Sequence, residues 1–577
     1  MKPRVGRAVV SSSHPQRFGD CVAALRACAN RFGREPAARK AALLHECAGC
    51  ALTDPAALLA YHDCLLFLLA YPESAALLAT ARRELARVAS AARVMIETGP
   101  ARLRAKLANS GVAWAPMTIA FGYDIARWLA EQHPRHAEID SFADDGAALA
   151  ALLRHALPLL EFEMLAADDA ASEDVLAIAS EGHRGTRLQW LVAQIVALPC
   201  TQGLREHLFD ALKAFITINP GAGALSRTYV RGLPGTTYFH RGDLLRRVDP
   251  RALISVPLAP SPALSSAQRA HLLDAGRAML ASLGRETDAI SAAEPAGIEY
   301  HALDRGVTIA LYTMAPGRRL PLDSHVGFML FKNSIPVGYG GGWPFLGTAR
   351  IGVNVFAPFR GGESAFLFCQ VLRVYRQRFG VDHFVAEPSQ FGSGNREGLE
   401  SGAFWFYYRL GFRPVASRLA ALAADEYARM QRTPGYRPPL PVLRRFTRSD
   451  IELRLNPLSA ARPACDPAEL SLAVSAWFAT RFHGDRAKAA AFATRTCSQA
   501  LGVRDAARWP EAERAAFEAL CLLFARIPGL ARWPARDKAR LVALARAKGG
   551  NEFRYFDLLR QHPRLHSALA EIAAEGR

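Results

Sequence analysis

The segment from Asn354 to Phe412 constrains the fold more than any other part of this 577-residue chain. Its first apolar residues predict a strand, which must end at Pro358 because proline cannot continue a central ladder. A glycine turn, an amphipathic helix, a second strand at residues 382–387 and a glycine-rich loop follow in that order. This order predicts an open α/β unit in which a ligand can lie at a helix N-terminus.

The turn after the first strand has the sequence Arg360-Gly-Gly-Glu-Ser-Ala365. Gly361 and Gly362 permit a tight turn with free backbone N–H groups. The apolar pattern then predicts a helix from Ser364 to about residue 379. A helix start that follows glycines and has an arginine beside it can hold an anion through its amides, its dipole and the guanidinium. We therefore expect this turn to bind a phosphate group.

The segment ends in an aromatic helix, Ala403-Phe-Trp-Phe-Tyr-Tyr-Arg-Leu-Gly-Phe412. Together with the glycine turn, this helix resembles the GNAT-type acyl-CoA N-acyltransferase superfamily. The turn resembles that family's R-x-x-G-x-[GA] phosphate cradle, and the helix resembles its A-x-x-x-Y-x-[KR]-x-G-F element. The two motifs occur in the family's order, and the resemblance covers residues 297–415, about a fifth of the chain.

The resemblance implies a donor, acetyl-CoA or another acyl-CoA, lying between the strand at residues 350–356 and the strand at residues 382–387. Backbone groups of the first strand would pair with the pantetheine arm, namely those of Asn354, Val355 and Phe356. Backbone amides of the turn would hold the pyrophosphate, with contributions from Arg360, Gly361, Gly362, Ser364 and Ala365.

Acyl transfer to an amine needs a proton donor and a proton acceptor. The resemblance implies that Tyr407 protonates the departing thiolate. An amine must lose a proton to attack a thioester, and Glu387, at the end of a strand, is the first candidate for the base. Both residues also have a structural interpretation: Tyr407 as a core aromatic among its neighbours, and Glu387 as a cap for the turn that begins at Pro388.

Two hairpins are predicted before this segment, one about residues 304–306 and one about residues 332–334. Residues of and around the second hairpin are candidates for binding the acceptor. His325 and Tyr339 are also weaker candidates for the base. Trp343 and the glycine run at residues 340–342 are expected to line the acceptor pocket, although a bulge or bend explains three glycines equally well. Two further polar clusters are expected to be structural, a solvated Arg318-Arg319 pair and a helix end at residues 285–288.

Two features depart from the family pattern. Glu363 occupies the family's first glycine of the phosphate turn, where a carboxylate would repel a phosphate by about 1 kcal/mol per charge pair in water. We expect either that Glu363 points outward or that the donor binds differently. The loop at residues 389–398 has more glycine and polar residues than a simple connection needs. We interpret it as a substrate or lid loop, with Gln390 and Asn395 as candidate substrate contacts.

Charge, cysteine content and hydropathy bound the class of protein. The chain has 71 Lys and Arg against 53 Asp and Glu, a formal net charge of +18, which favours phosphorylated ligands. No run of five basic residues occurs, so direct nucleic-acid binding is not favoured.

The lone C-x-x-C of Cys47 and Cys50 predicts buried helix cysteines and no metal site. Apolar runs are too short to span a bilayer, and we expect a cytoplasmic protein without membrane insertion.

The predicted fold class is α+β multidomain, with a central mixed-sheet acyl-CoA N-acyltransferase-like domain between helical domains. Five regions are predicted: a helical domain at 1–214, a mixed connecting region at 215–296, the central domain at 297–430, a proline-rich linker at 431–465, and a helical domain at 466–577.

The favoured function is the transfer of an acyl group, with acetyl preferred, from a CoA thioester to a small-molecule or peptide amine. One alternative is an aminoacyl-tRNA-dependent transferase with tRNA as a partner, because related folds perform that chemistry and the chain is basic. A second alternative is a non-catalytic binding or scaffold protein with a degenerate acyltransferase fold. The sequence defines neither the acceptor, nor the acyl chain, nor the oligomeric state.

Overall fold

The computed structural model describes residues 15–143, 147–166, 172–456 and 465–575. The basic N-terminal residues 1–13, and residues 457–464 of the predicted linker, lie outside the described residues. Within the described ranges the chain is an α+β protein with two sheets, one of three strands and one of eight. No helix in these ranges is long and apolar enough to cross a membrane.

The N-terminal region begins with five helices: α1 (Pro15–Cys28), α2 (Arg34–Ala48), α3 (Pro55–Ala70), α4 (Ala75–Thr98) and α5 (Ala101–Leu107). Asp54 and Ser74 cap α3 and α4, since each side chain accepts a hydrogen bond from a backbone amide of the first turn. The C-x-x-C cysteines Cys47 and Cys50 are buried at the end of α2.

A small sheet follows within the region that was predicted to be wholly helical. Its elements are β1 (Met117–Ala120), α6 (Tyr123–Gln132), β2 (Ala137–Phe142), α7 (Ala147–Ala156), α8 (Leu159–Ala166), α9 (Ser172–Ala179), α10 (Arg187–Ala197), α11 (Gln202–Leu212) and β3 (Ala214–Ile218). β3 lies between β1 and β2 and is antiparallel to both. The helical prediction for residues 1–214 is wrong here, because strands of four to six residues are too short to reveal an alternating pattern.

The connecting region contains α12 (Pro250–Ser255), α13 (Ser266–Ala281) and α14 (Asp288–Ser291). A capping box formed by Ser265 and Gln268 begins α13. Residues 219–249 form no helix or strand, so the β-prone residues 236–239 are irregular.

The central sheet contains β4 (Ala293–Ala302), β5 (Val307–Met314), β6 (Val326–Lys332), β7 (Ile335–Phe345), β8 (Thr348–Val355), β9 (His383–Ala386), β10 (Arg413–Pro414) and β11 (Ile451–Arg454). Their order across the sheet is β10-β11-β9-β8-β7-β6-β5-β4. Among the described strands, β8 and β9 form the one parallel pair. The helices of this region are α15 (Ser364–Phe379), α16 (Arg396–Glu400), α17 (Ala403–Arg409), α18 (Ser417–Arg432) and α19 (Leu440–Phe446).

Both hairpins predicted at the start of the central sheet are confirmed. β4 and β5 are joined through residues 304–306, where Arg305 has φ 60°. β6 and β7 are joined by Asn333 and Ser334, which both have positive φ, as a two-residue hairpin turn requires. The Asn333 side chain accepts a hydrogen bond from the Tyr238 amide and donates one to the Ala70 carbonyl, so the turn is anchored to the N-terminal region.

The predicted linker at residues 431–465 is wrong in its second half. Residues 440–446 form α19, and β11 pairs with both β9 and β10 inside the central sheet. Prolines at the start of this stretch obscured the four-residue strand that follows. The central domain therefore extends at least to Arg454.

The C-terminal region is helical as predicted, with α20 (Pro467–Phe482), α21 (Arg486–Leu501), α22 (Glu511–Phe524), α23 (Ala535–Gly549), α24 (Glu552–Arg560) and α25 (Pro563–Glu575). It packs against the C-terminal end of α15, where the rings of Phe379 and Phe556 lie 4.8 Å apart. Arg378 joins both parts through ion pairs to Glu299 and Asp557 at 2.7 and 2.8 Å.

Candidate functional site

An opening separates β8 from β9 along most of the length of β8. The two strands pair only at their first residues, with Thr348 opposite His383 and Arg350 opposite Val385. β8 continues to Val355, whereas β9 ends at Ala386. The second half of β8 therefore has no strand partner on this side among the described residues.

The direction of the backbone groups decides which residues of β8 face the opening. The Phe356 amide donates to the Val337 carbonyl at 3.0 Å, toward β7. Because backbone groups alternate along a strand, those of Asn354 also face β7, and those of Val353 and Val355 face the opening. The prediction that the backbones of Asn354 and Phe356 pair with a ligand arm is therefore wrong, whereas Val355 points as predicted. Arg360 Nε already donates to the Val355 carbonyl at 3.0 Å.

A cavity of about 440 Å³ lies over this opening. It is lined by every residue predicted to contact the substrate, namely His325, Tyr339, Trp343, Gln390 and Asn395, and also by Asn354 and Glu387. The buried Oδ1 of Asn354 has no hydrogen-bond partner within the described residues, so the wall of the cavity offers an acceptor. The Gln390 side chain lies against Gly352 of β8, where a Cβ would be 2.1 Å from its Oε1.

His325 stacks on Trp343 inside this cavity, with ring centroids 4.5 Å apart and an interplanar angle of 10°. A Cβ on Gly341 would lie 2.3 Å from His325 Nε2, so the glycine makes room for the imidazole. Burial lowers the pKa of His325, and the Asp288 carboxylate only partly opposes this shift. The imidazole is thus neutral at pH 7 and able to accept a proton.

The three glycines at residues 340–342 form neither a bulge nor a bend. Each keeps its regular antiparallel partner on β8. Close approach of neighbours excludes side chains here, because Cβ atoms on Gly340 and Gly342 would meet the carbonyl oxygens of Gly352 and Arg350 at 2.2 and 2.9 Å. Because Gly340 and Gly341 have no side chains, they leave room at the floor of the cavity.

Glu387, the first candidate for the base, lies in the cavity wall but is paired. Its carboxylate accepts a hydrogen bond from Arg350 Nη1 at 2.7 Å, and both side chains are about half exposed. Arg350 also reaches Asp466, the N-cap of α20, at 3.5 Å. Proton transfer to Glu387 would break this ion pair, so the geometry favours a structural role for Glu387.

Glu286 lines the same cavity, although the sequence assigned residues 285–288 a structural role. Its Oε1 accepts a hydrogen bond from the Gly122 amide at 2.8 Å. The residue is exposed, yet desolvation of its carboxylate raises its pKa to about 7. The hydrogen bond from Gly122 partly opposes this shift, and repulsion from Asp210 and Asp124 adds to it. No local pattern could reveal this group, because residues about 75 to 165 positions away in the sequence create its environment.

Tyr407 lies in the aromatic core, as its structural interpretation predicts. Its ring is buried against Phe368 and Phe412, with centroids 5.6 and 5.4 Å away. Its hydroxyl reaches the backbone of Val353, on the side of β8 that faces the opening. Burial raises the pKa of Tyr407 above its ordinary range, and the hydrogen bond from Val353 opposes the shift without cancelling it. The hydroxyl therefore keeps its proton near neutral pH.

A second cavity, of about 860 Å³, lies at the glycine turn. All the residues predicted to hold pyrophosphate line it: Arg360, Gly361, Gly362, Ser364 and Ala365. Four more arginines line the same cavity, namely Arg246, Arg247, Arg409 and Arg437. None of the described residues in its wall is Asp or Glu, so the cavity is strongly cationic.

Glu363 does not face this cavity. Its fully buried carboxylate pairs with Lys332 at 2.9 Å and with Arg305 at 2.6 Å, and it accepts a hydrogen bond from the Leu245 amide at 3.0 Å. Burial alone would raise the pKa of Glu363, but Lys332, this amide and Arg305 together hold it below its ordinary value. The expectation that Glu363 points outward is wrong: the carboxylate points into a buried charge cluster, away from this cavity.

Arg318 and Arg319 are not a solvated pair, which corrects the prediction. Arg318 pairs with Asp124 of the N-terminal region at 3.0 Å. Arg319 turns the other way and donates to the carbonyls of Lys548 and Gly550 in the C-terminal region, at 2.9 and 2.7 Å. The loop that leads to His325 is thus held between both helical regions.

Comparisons of this chain with protein-family models, with curated proteins and with solved structures give no match. Within the described ranges, no group of three or more His, Cys, Asp or Glu side chains has an arrangement that could hold a metal ion. The candidate site therefore consists of the two cavities and the opening between β8 and β9.

Proposed function

We propose that this protein transfers an acyl group, with acetyl as the preferred one, from a CoA thioester to an amine. The observation that carries the proposal is the divergence of β8 from β9, next to a helix whose glycine turn faces an arginine-lined cavity. A donor with an extended amide-containing arm and several phosphates fits such a pair of features. This proposal agrees with the GNAT-type resemblance of the turn and of α17.

The cationic cavity is suited to the phosphate end of the donor. Free amides at the start of α15 and the dipole of a 16-residue helix favour an anion there. Four arginines, Arg246, Arg247, Arg409 and Arg437, can supply charge-assisted hydrogen bonds. Arg360 contributes less, because it already donates to the Val355 carbonyl and pairs with Glu397. Because Glu363 is neutralised elsewhere, it does not oppose phosphate binding.

The opening is suited to the arm of the donor. The carbonyl of Val353 and the amide of Val355 lie on the free edge of β8, and strand-like pairing with an extended ligand uses such groups. The Val353 amide already donates to the Tyr407 hydroxyl. The unpartnered Oδ1 of Asn354 offers a further acceptor in the adjoining cavity. A thioester bound in this way would supply the electrophilic carbon.

Side chains of the 440 Å³ cavity are suited to the proton transfers. Glu286, with its pKa raised to about 7, and neutral His325 can take a proton from an incoming ammonium group. Tyr407 retains its own proton and can give it to a departing thiolate. In this proposal Glu286 and His325 replace Glu387 as the base.

Thermal unfolding in the presence of acetyl-CoA, longer acyl-CoAs or tRNA tests the proposal. A ligand at a hundredfold its dissociation constant stabilises the folded state by about 2.7 kcal/mol. Stabilisation by an acyl-CoA supports the acyltransferase. Salt-sensitive stabilisation by tRNA alone would favour the aminoacyl-tRNA-dependent alternative. If neither the acyl-CoAs nor tRNA changed the melting temperature, the non-catalytic scaffold would be favoured.

Turnover then tests the proton donor. Tyr407→Phe should slow thiol release about 100-fold while leaving stabilisation by acyl-CoA unchanged, because a general acid typically contributes 10²–10⁴-fold. Tyr408→Phe is the matched control, since Tyr408 is buried on the same helix but its ring packs on Arg413 instead. Equal rates for both variants would remove Tyr407 from the chemistry.

A further inference from the structure

A third cavity, of about 880 Å³, lies away from the opening between β8 and β9. It is enclosed by α3, α4, the irregular residues 231–238 and the ends of the β4–β5 and β6–β7 hairpins. Its wall is mainly apolar, with buried residues including Leu69, Leu78, Leu233, Tyr300, Val307 and Ile335. A cavity of this size and character is typical of a small-molecule site.

The polar groups of this wall are cationic or neutral. Arg82, Arg231 and His271 line the cavity, and none of the described residues that line it is acidic. His271 Nε2 contacts the Arg231 carbonyl at 3.0 Å, so these two residues lie side by side. Two guanidinium groups therefore share one apolar cavity without a counter-charge from its wall.

Arg231 lies in the wall of this cavity and has no ion-pair partner among the described residues. Its guanidinium donates only to the carbonyls of Val230 and Thr228, at 2.7 and 2.9 Å, and has no carboxylate partner there. Burial, and then the neighbouring Arg82, lower its pKa to about 10. A desolvated cation that faces a second cation is costly unless an anion compensates it.

Three other arginines with little exposed surface have carboxylate partners. Arg305 pairs with Glu363 at 2.6 Å, Arg319 with Glu294 at 3.2 Å, and Arg378 with Asp557 at 2.8 Å. Arg277 resembles Arg231 in donating only to backbone carbonyls, but it does not line this cavity. An external anion would supply what those three arginines obtain from the chain itself.

We propose that this cavity binds an amphipathic anion, a molecule with a carboxylate or phosphate group and an apolar body. The anionic group would lie at Arg231 and Arg82, and the apolar body would lie against the leucine-rich wall. This cavity and the cationic cavity at the glycine turn have no lining residue in common. Tyr238, in the wall of the apolar cavity, accepts a hydrogen bond from Arg305 of the buried charge cluster. The site is thus distinct from the one proposed for acyl transfer.

Calorimetric titration of the full-length chain with decanoate tests the proposal. Decanol and acetate each lack one half of the expected ligand, and decyltrimethylammonium reverses the charge. Decanoate should bind at least tenfold more tightly than any of the three. Equal affinity for decanoate and decanol, tighter binding of the cation, or no binding of decanoate would overturn the proposal.

Two variants locate the site. Arg231→Met should weaken decanoate binding at least tenfold, and Arg82→Met should weaken it several-fold. Arg82 is exposed, so the second variant tests the site even if the first one unfolds. Arg102→Met, at an exposed position of α5, is the matched control and should bind as the parent chain does. Unchanged affinity in both folded cavity variants would place decanoate elsewhere and overturn the proposal.

The readout does not depend on acyl transfer. Saturating acetyl-CoA should leave the affinity for decanoate unchanged within twofold, because the two cavities share no lining residue. Competition between acetyl-CoA and decanoate would show that decanoate occupies the acyl-CoA site, and would overturn the proposal of a separate site.

Discussion

Glu363 and Lys332 form an ion pair of 2.9 Å in which both side chains are fully buried. Glu363 immediately precedes α15, and Lys332 is the last residue of β6, so the pair fixes the start of the helix to the sheet. Lys332 also donates to the Arg305 carbonyl at 2.6 Å. The position of the glycine turn thus depends on a buried charge cluster behind it.

Replacement of Glu363 by Gln should destabilise the protein by about 3–5 kcal/mol, because it leaves two buried cations without a partner. The double variant Glu363→Gln with Lys332→Met should recover part of this loss, since it removes one of those cations. Urea unfolding measures both. A single variant as stable as the parent would contradict the importance of the cluster.

Stability should also fall in acid through the same carboxylate. The ordinary pKa of Glu363 is 4.5, and its folded-state pKa is lower. Because the unfolded chain then binds the proton more readily, the contribution of Glu363 is complete above pH 4.5 and is lost as the pH falls through the folded-state pKa. Lys332 has its effect at alkaline pH. Its pKa is 10.5 in the unfolded chain and about 8 in the folded protein, so the unfolded chain binds the proton more readily between these values. The contribution of Lys332 to stability therefore rises with pH in this range. In Glu363→Gln, the acid loss should be smaller than in the parent.

The proposed acyl transfer should accelerate as the pH rises through about 7, because the Glu286 carboxylate must lose its proton before it can act as a base. Glu286→Gln should reduce the rate and flatten this rise. Glu387→Gln is the matched control, since Glu387 lines the same cavity but is held by Arg350. If the increase of rate with pH persisted in Glu286→Gln and were lost in Glu387→Gln, the base would be Glu387 and not Glu286.

Two glycines of the cavity should differ in their tolerance of a methyl group. Gly341→Ala should displace His325, whose ring is fixed by its stack on Trp343, and should raise KM for the amine about tenfold or more. In Gly352→Ala the methyl group meets only the flexible end of Gln390, which can move aside at lower cost. Steady-state kinetics with varied amine compares the two variants. Equal effects would show that His325 is not specially constrained.

The C-terminal region should hold the loop before His325 through a buried ion pair. Lys548 pairs with Glu552 at 2.7 Å and donates to the Asp323 carbonyl at 3.1 Å. Lys548→Met leaves Glu552 without this partner and should cost about 3–5 kcal/mol, and the double variant with Glu552→Gln should cost less. Urea unfolding measures these costs. Tryptophan fluorescence should shift as the stack of Trp343 loosens, with Trp343→Phe as the reference. A double variant less stable than the single one would contradict this account.

Local signals in the sequence were sufficient for much of the central sheet. The turns at residues 304–306 and 332–334 lie between apolar strands, and a turn of this type depends on a few adjacent residues. The start of α15 follows from two glycines and an apolar stripe. The five residues expected at the substrate likewise converge on one cavity, because they lie on β7, immediately before β6, or on the loop after β9.

Charged side chains were harder to place, because their partners are distant in the sequence. Glu363 meets Lys332 and Arg305 only after the sheet has formed, and Arg319 meets a helix end more than 220 residues later. Glu286 acquires its environment from the N-terminal region. Residue type and spacing carry no information about such contacts, whereas they do define turns and helix starts.

β11 is translated 37 positions after β10, yet it lies between β9 and β10 and pairs with both. A nascent chain that has emerged only as far as residue 450 therefore presents β9 with one long edge unoccupied. Such an edge is a template for pairing with other chains. Until β11 has been synthesised, this edge of β9 is therefore open to pairing with other chains.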